Sequence, residues 1–217
     1  MTEDLVLTRD RILVATLPHA AFDGWTRRAL KAGVADAGLT PDMALRAFPG
    51  GIHQLVDHLA DWADRRMLEE LDAVDLASMR VRDRVQTCVR VRLQVLDGYR
   101  ESIRRLLSYL AMPQNAPLAV RLTWRTVDAV WYAAGDEASD FNYYTKRGLL
   151  MPVYATTVLY WLGDDSEGSA NTWTYLERRI ADVMKIPAYQ SRLKEALSSL
   201  PRPSRLFRSL KRSPSRR

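Results

Sequence analysis

The sequence predicts an all-α protein, and three observations lead to this prediction. Apolar residues recur at helical spacing along most of the 217 residues. Pro, Gly and capping residues separate these stretches at intervals typical of helices, and no convincing alternating strand pattern occurs. With 47% hydrophobic and 27% charged residues, the chain is long enough for a full helical core and is neither low-complexity nor disordered.

The first half is predicted to form six helices. Pro18 is expected to end the first, because a proline removes a backbone donor from a helix. Gly38 stands where a glycine commonly follows a helix, and Thr40 with Pro41 forms a start signal for the next. The predicted helices span about residues 8–17, 25–37, 42–48, 52–71, 81–99 and 101–110.

The second half is richer in large apolar residues and is predicted to form four more helices. These span about residues 115–135, 141–162, 169–184 and 189–200, and the segment Lys185-Ile186-Pro187 is expected to break the chain between the last two. The helix over 141–162 has almost no polar face. Such a helix must be covered by core, by a partner subunit or by a ligand.

The net charge of +6 resides in a basic tail, residues 201–217, which has seven basic side chains and no acid. The first 200 residues hold 25 basic and 26 acidic residues, so the body has no basic excess for a nucleic-acid backbone. Leu206, Phe207 and Leu210 lie among the arginines of the tail. This composition is typical of an anchor on an anionic membrane surface, and a disordered solubilising tail is the alternative.

Catalytic and metal-binding patterns are absent from the sequence. There is one cysteine and there are three histidines, with no Glu-x-x-His repeat and no glycine-rich phosphate loop. We therefore expect no cofactor, no metal and no catalysis. The acidic N-terminus and a longest uncharged run shorter than the roughly 20 residues of a membrane span predict a cytoplasmic protein, peripherally associated with the inner membrane.

Helix spacing in the first 50 residues is typical of a helix-turn-helix, and Ala37 to Pro49 resembles the turn and recognition helix of tetracycline-repressor-like regulators. That family usually carries a Tyr and a Lys that contact phosphate, where this sequence has Met43, Leu45 and Gly51. We predict a helix-turn-helix kept as a scaffold, without specific DNA binding. A transcriptional regulator with a hydrophobic effector is the alternative.

Aromatic residues are concentrated between Trp124 and Tyr175, which hold 11 of the 19 in the chain. Two interpretations remain open at this point: a solid core, or an internal cavity that accepts a hydrophobic ligand where Pro152 interrupts close packing. The candidate lipid-binding residues are Trp124, Val127, Trp131, Val153, Tyr154 and Val158.

Four segments carry a family resemblance: Trp131 to Asp136, Asp140 to Arg147, Asn171-Thr172-Trp173, and Leu176 to Ile180. They resemble the ubiquinone-biosynthesis accessory proteins, the ninth protein of the coenzyme Q set. The resemblance implies a tetracycline-repressor-like homodimer that has lost DNA binding and holds an isoprenoid or quinone lipid in its C-terminal half.

The same resemblance implies a partner, a di-iron hydroxylase that acts on demethoxyubiquinone. It assigns the contact with this hydroxylase to Asp140, Tyr143, Tyr144 and Arg147. On the residues alone, an aromatic helix start that simply packs on Trp131 is the alternative. The expected domains are a helix-turn-helix over 1–50, a lipid-binding and dimerisation bundle over 51–186, and a basic C-terminal helix and tail over 187–217.

Overall fold

The computed structural model describes residues 2–136 and 141–199, and these residues fold into helices. No strand occurs among them, which confirms the all-α prediction. The helices are α1 (Thr2–Asp23), α2 (Arg27–Asp36), α3 (Asp42–Ala47), α4 (Ile52–Leu71), α5 (Val81–Val95), α6 (Arg100–Leu110), α7 (Ala116–Ala133), α8 (Phe141–Leu162) and α9 (Ala170–Ser199). No helix in the described part of the chain is long and apolar enough to cross a membrane.

Helix α1 does not end at Pro18, so that prediction is wrong. The helix continues to Asp23, with the proline inside it. Leu17 and Ala20, on either side of Pro18, are fully buried. The hydroxyl of Ser102 on α6 also donates to the carbonyl oxygen of Leu17 at 2.6 Å. Burial of the flanking turns against α6 therefore compensates for the one hydrogen bond that proline removes.

Helices α1 to α3 form the predicted helix-turn-helix arrangement. A Cβ atom at Gly33 of α2 would lie 2.1 Å from Oγ1 of Thr16 on α1, so only glycine allows the two helices to approach this closely. Gly38 has a φ of +67°, which confirms its role after α2. Arg9 donates from Nε to the carbonyl oxygen of Ala47 at 2.7 Å and so holds the end of α3 against α1.

Helices α4 to α8 form a larger bundle around a second part of the core. Helix α4 packs against α5 and α7, while α8 packs against α6 and α7. Buried residues at i, i+3, i+4 and i+7 of α4 account for its place at the centre, and they include Leu55, Val56, Leu59 and Trp62. Helix α5 ends at Val95, earlier than predicted, because the chain tightens into a 3₁₀ turn over Asp97–Tyr99.

The connection from α8 to α9 is fixed by Asp164, which is buried. Its carboxylate accepts hydrogen bonds from the backbone N–H and hydroxyl groups of both Ser166 and Thr172, at 2.6–3.0 Å. Burial alone would raise the pKa of Asp164, yet these bonds outweigh it and hold the pKa well below its ordinary range. Thr172 belongs to the Asn171-Thr172-Trp173 motif, and this contact gives that threonine a structural role.

Helix α9 continues through Pro187, so the predicted break at Lys185-Ile186-Pro187 is wrong. The fixed φ of proline lies in the helical range. A proline inside a helix lacks one backbone N–H donor, and here the helix continues in spite of that loss. The chain divides into two compact units, one comprising Met1–Ile180 and the other beginning at Ala181. The predicted domain boundary at residue 50 stays a prediction.

Candidate functional site

A cavity of about 370 Å³ lies among helices α4 to α8. Every one of these five helices contributes to its wall, and most of the side chains are aliphatic. The lining comprises Val56, Leu59, Ala60, Ala63, Arg92, Leu93, Leu96, Ile103, Leu106, Leu107, Leu110, Ala111, Leu122, Thr123, Thr126, Tyr154, Ala155, Val158 and Leu159. The volume is at the small end of the roughly 300–1,000 Å³ typical of ligand pockets.

Helix α8 supplies both the inner wall and part of the rim. Tyr154 and Val158, four residues apart, are buried on the inner face. Ala155 and Leu159 also line the cavity but are exposed, Leu159 to 61%. Ala111, which follows α6, also lines the cavity and is exposed, so the cavity is open to solvent beside these three residues.

One part of the wall is polar, and we call it the polar cluster: Asp64, Arg92, Thr126 and Tyr154. Arg92 donates from Nε to Asp64 at 2.7 Å and from Nη1 to the phenol oxygen of Tyr154 at 2.5 Å. The Thr126 hydroxyl lies 3.4 Å from the same carboxylate oxygen. All four side chains are buried, and all but Asp64 line the cavity.

A second concavity, the aromatic cleft, lies between α7 and the start of α8 on the surface. Its residues are Leu68, Arg125, Asp128, Ala129, Tyr132, Asp136, Tyr143 and Arg147. Arg147 donates from Nε to Asp128 at 2.5 Å and from Nη1 to Asp136 at 3.0 Å. Its guanidinium carbon lies 3.4 Å from the centre of the Tyr143 ring, so the same side chain fixes a charge network and an aromatic group.

Aromatic side chains next to this cleft form a cluster that is partly open to solvent. Trp124 contacts both Tyr143 and Tyr144, with ring centres 6.4 and 6.2 Å apart. The phenol of Tyr143 donates to Asp128 at 2.8 Å and is half-buried, whereas Tyr144 is 64% exposed and Tyr132 is 74% exposed. Exposed tyrosines on a rigid base are enriched in protein interfaces.

Most of the aromatic cleft and one side of the cavity lie in a segment that matches a known family model. Residues 116–187 match the family model described as COQ9. Residues 116–187 are therefore similar to a COQ9 domain. This confirms the family resemblance that the segments Trp131 to Asp136 and Asn171-Thr172-Trp173 indicated.

Curated COQ9 proteins align with most of this chain. The mitochondrial ubiquinone biosynthesis protein COQ9 of Rattus norvegicus is 36% identical over 183 residues, which is 81% of this chain and 58% of that protein. The proteins of the same name from Homo sapiens and Drosophila melanogaster are 35% and 33% identical. The human alignment covers 81% of this chain and 57% of the relative, and the fly alignment covers 82% and 56%. The chain thus spans a little over half the length of these relatives.

A solved structure agrees with the fold of the COQ9 domain and of the helices before it. The TetR transcriptional regulator from Nitrosomonas europaea superimposes with a TM-score of 0.65 and 25% sequence identity, covering 81% of this chain and 97% of the regulator. The tetracycline-repressor-like fold predicted from Ala37 to Pro49 is therefore confirmed.

The cavity overlaps only in part with the lipid-binding residues predicted from sequence. Tyr154 and Val158 line it, but Trp124, Val127, Trp131 and Val153 do not. Val127 and Val153 are buried in the core outside the lining, while Trp124 packs on the tyrosines of the aromatic cleft. Lys146 lies 5.5 Å from the centre of the Trp131 ring.

Sequence reasoning missed the larger share of the wall, which α4, α5 and α6 supply. Leu93 and Ile103 are examples, since both look like ordinary core positions of amphipathic helices. A signal existed in Arg92, a charged residue on the apolar face of α5. A buried charge needs a partner, and its presence indicates a polar group inside the core.

The predicted partner contacts differ in how they are placed. Arg147 is 3% exposed and is held by two carboxylates, so in this structure it positions Tyr143, and its contact with a partner stays a prediction. Tyr144 is open to solvent, as a contact residue requires, and Tyr143 lies at its side with ring centres 5.1 Å apart. Asp140 lies outside the described residues, as do Leu206, Phe207 and Leu210 of the basic tail.

Helix α3, in the place of a recognition helix, spans six residues. Leu45 is its most open large apolar side chain, at 74% exposure, and Arg46 is its only basic residue. Its exposed residues are Asp42, Leu45 and Arg46, so Arg46 is the one exposed side chain of this helix that can donate to base edges. The absence of specific DNA binding stays a prediction.

Proposed function

We propose that this protein is a lipid-binding accessory protein of ubiquinone biosynthesis that presents a polyprenyl quinone intermediate to a membrane-associated hydroxylase. The observation that carries the proposal is the apolar cavity of about 370 Å³, for which the segment that matches COQ9 supplies the α7 and α8 walls. The names of the curated relatives support the pathway. Two further elements of the proposal are a homodimer, as the repressor-like fold suggests, and attachment to an anionic membrane surface through the basic tail.

The cavity is suited to a hydrocarbon chain because most of its lining is aliphatic. Each methylene group moved from water into such a lining gains about 0.8 kcal/mol, so even a short stretch of a prenyl chain binds favourably. The opening beside Ala155 and Leu159 gives the lipid a way in. The remaining part of a longer tail has to stay outside.

The aromatic cleft is the proposed contact with the hydroxylase. Tyr132 in the cleft and Tyr144 beside it offer exposed rings, and the network of Arg147, Asp128 and Asp136 holds Tyr143 in a fixed position between α7 and α8. Little conformational entropy is lost when a partner packs on groups that are already ordered, which favours binding.

Lipid binding is tested with purified protein, by mass spectrometry of its organic extract and by uptake of decylubiquinone. The variant Ala155→Trp places a large side chain at the rim of the cavity and should reduce uptake at least fivefold. Ala116→Trp is the matched control, because Ala116 is also an exposed helical alanine and does not line the cavity. Light scattering checks that both variants keep the mass of the unmodified protein. Lipid-free protein that takes up no quinone would refute the proposal.

The contact with the hydroxylase is tested by capture of the demethoxyubiquinone hydroxylase from the same organism. Tyr144→Ala should lower capture at least tenfold and leave quinone uptake unchanged, since Tyr144 does not line the cavity. Tyr160→Ala is the matched control, because Tyr160 is an exposed tyrosine of the same helix that neither lines the cleft nor belongs to the neighbouring cluster of Trp124, Tyr143 and Tyr144. Equal capture by both variants would remove the cleft from the proposal.

A further inference from the structure

We infer that the cavity holds the oxygen-bearing end of a neutral lipid, with the Tyr154 hydroxyl donating a hydrogen bond to a carbonyl oxygen of the ligand. The inference rests on the proposed lipid binding and adds which end of the lipid enters and which group recognises it. The polar cluster is the observation behind this inference. Burying an arginine, a tyrosine and an aspartate costs free energy that a wall binding only hydrocarbon would avoid.

The direction of the hydrogen bonds leaves the Tyr154 proton available. Arg92 has no acceptor atom, so in the contact at 2.5 Å the phenol oxygen of Tyr154 is the acceptor. The phenol proton must then point elsewhere, and Tyr154 lines the cavity. Burial raises the pKa of Tyr154 above its ordinary value, so the group stays protonated at neutral pH.

The charge of the polar cluster favours a neutral ligand over an anionic one. Arg92 is already paired with Asp64 at 2.7 Å, so the positive charge is balanced within the wall. A carboxylate or phosphate entering here would come close to Asp64 and would lose its hydration without a cation left to pair with it. A quinone carbonyl accepts a hydrogen bond and carries no net charge, which matches the donor on offer.

The polar cluster is joined to the aromatic cleft through Asp64. Asp64 lies between Arg92, on the cavity side, and Arg125, whose Nε is 3.9 Å from the carboxylate. Arg125 lines the aromatic cleft together with Tyr143. An oxygen bound at Tyr154 is therefore connected through Arg92, Asp64 and Arg125 to the surface on which the hydroxylase is proposed to dock.

The experiment compares two probes on the full chain. Diphenylhexatriene, a fluorescent hydrocarbon, reports the apolar cavity directly, and decylubiquinone is measured by its displacement. In Tyr154→Phe the ring stays and the hydroxyl is lost. We expect the quinone to bind about five- to tenfold more weakly, as one lost hydrogen bond predicts, and the hydrocarbon to bind within twofold of its original affinity. Tyr160→Phe, which removes a phenol outside the cavity, should change neither.

Infrared spectroscopy of the bound quinone gives a second readout, first in the unmodified protein and then in the variant. The carbonyl band should lie at lower frequency than in hexane, and the shift should vanish in Tyr154→Phe. If both probes bind, but the variant leaves quinone affinity and the carbonyl band unchanged, this inference is overturned and the proposed lipid binding stands. If neither probe binds the unmodified protein, both are overturned.

Discussion

Replacing Arg147 by alanine tests whether this side chain stabilises the aromatic cleft from inside. Arg147 is 3% exposed and bridges Asp128 and Asp136. Removing one member of a buried ion pair costs about 3–5 kcal/mol. Two features of the structure lower this value: the Asp128 side chain is 41% exposed, and Asp136 keeps a second cation, with Lys146 Nζ at 2.6 Å. We therefore expect a loss of about 2–3 kcal/mol.

Equilibrium unfolding in urea measures this loss. With a slope of about 3 kcal/mol per M, the midpoint should fall by about 1 M. Lys146→Ala is the matched control, because it removes a neighbouring cation whose side chain is 39% exposed, and it should cost about 1 kcal/mol or less. If Arg147→Ala is no less stable than Lys146→Ala, the buried network does not hold the cleft in the way described.

Two further predictions concern buried groups elsewhere. Burial raises the pKa of the Cys88 thiol to about 11, so this single cysteine should react with Ellman's reagent in denaturant and hardly at all in the folded protein at pH 8; rapid reaction of the folded protein would contradict its burial. Asp164→Asn should destabilise the protein by about 2–3 kcal/mol at pH 7, because it weakens charge-assisted bonds from Ser166 and Thr172. Since the pKa of Asp164 is lowered on folding, its contribution is complete above the ordinary value of about 3.9 and is lost as the pH falls below it, so the difference between the variant and the unmodified protein in thermal unfolding should shrink in acid. A difference that stays constant down to pH 2 would contradict this assignment.

Helix positions in this protein follow from the sequence wherever the apolar periodicity agrees with the Gly, Pro and capping residues at the helix ends. Helix α4 begins at Ile52 and ends at Leu71 as predicted, and Gly38 follows α2 with the expected positive φ. Both prolines predicted to end a helix, Pro18 and Pro187, lie inside one. A local rule on proline fails at Pro18 because contacts with α6, far along the chain, stabilise the turns on either side.

The site was harder to predict than the fold, and the reason is geometric. The sequence indicates that Tyr154 and Val158 share a face, but it does not indicate which helices face them. The sequence favours large aromatic residues as lining, but Trp124 and Trp131 lie outside the cavity wall. A bulky ring in a closely packed core fills space instead of bordering an empty one. Small residues such as Ala60 and Ala63 leave the room in which a ligand fits.

The size of the cavity limits how the protein can handle a long lipid. A space of about 370 Å³ accommodates about a dozen groups the size of a water molecule, each occupying about 30 Å³. If the proposed lipid binding holds, a chain of many isoprene units exceeds that volume several times, and most of it would extend past Leu159 into the bilayer. Such a protein would bind one end of a lipid whose other end stays in the membrane. It would therefore diffuse along the membrane surface with the lipid and would not carry the lipid through water.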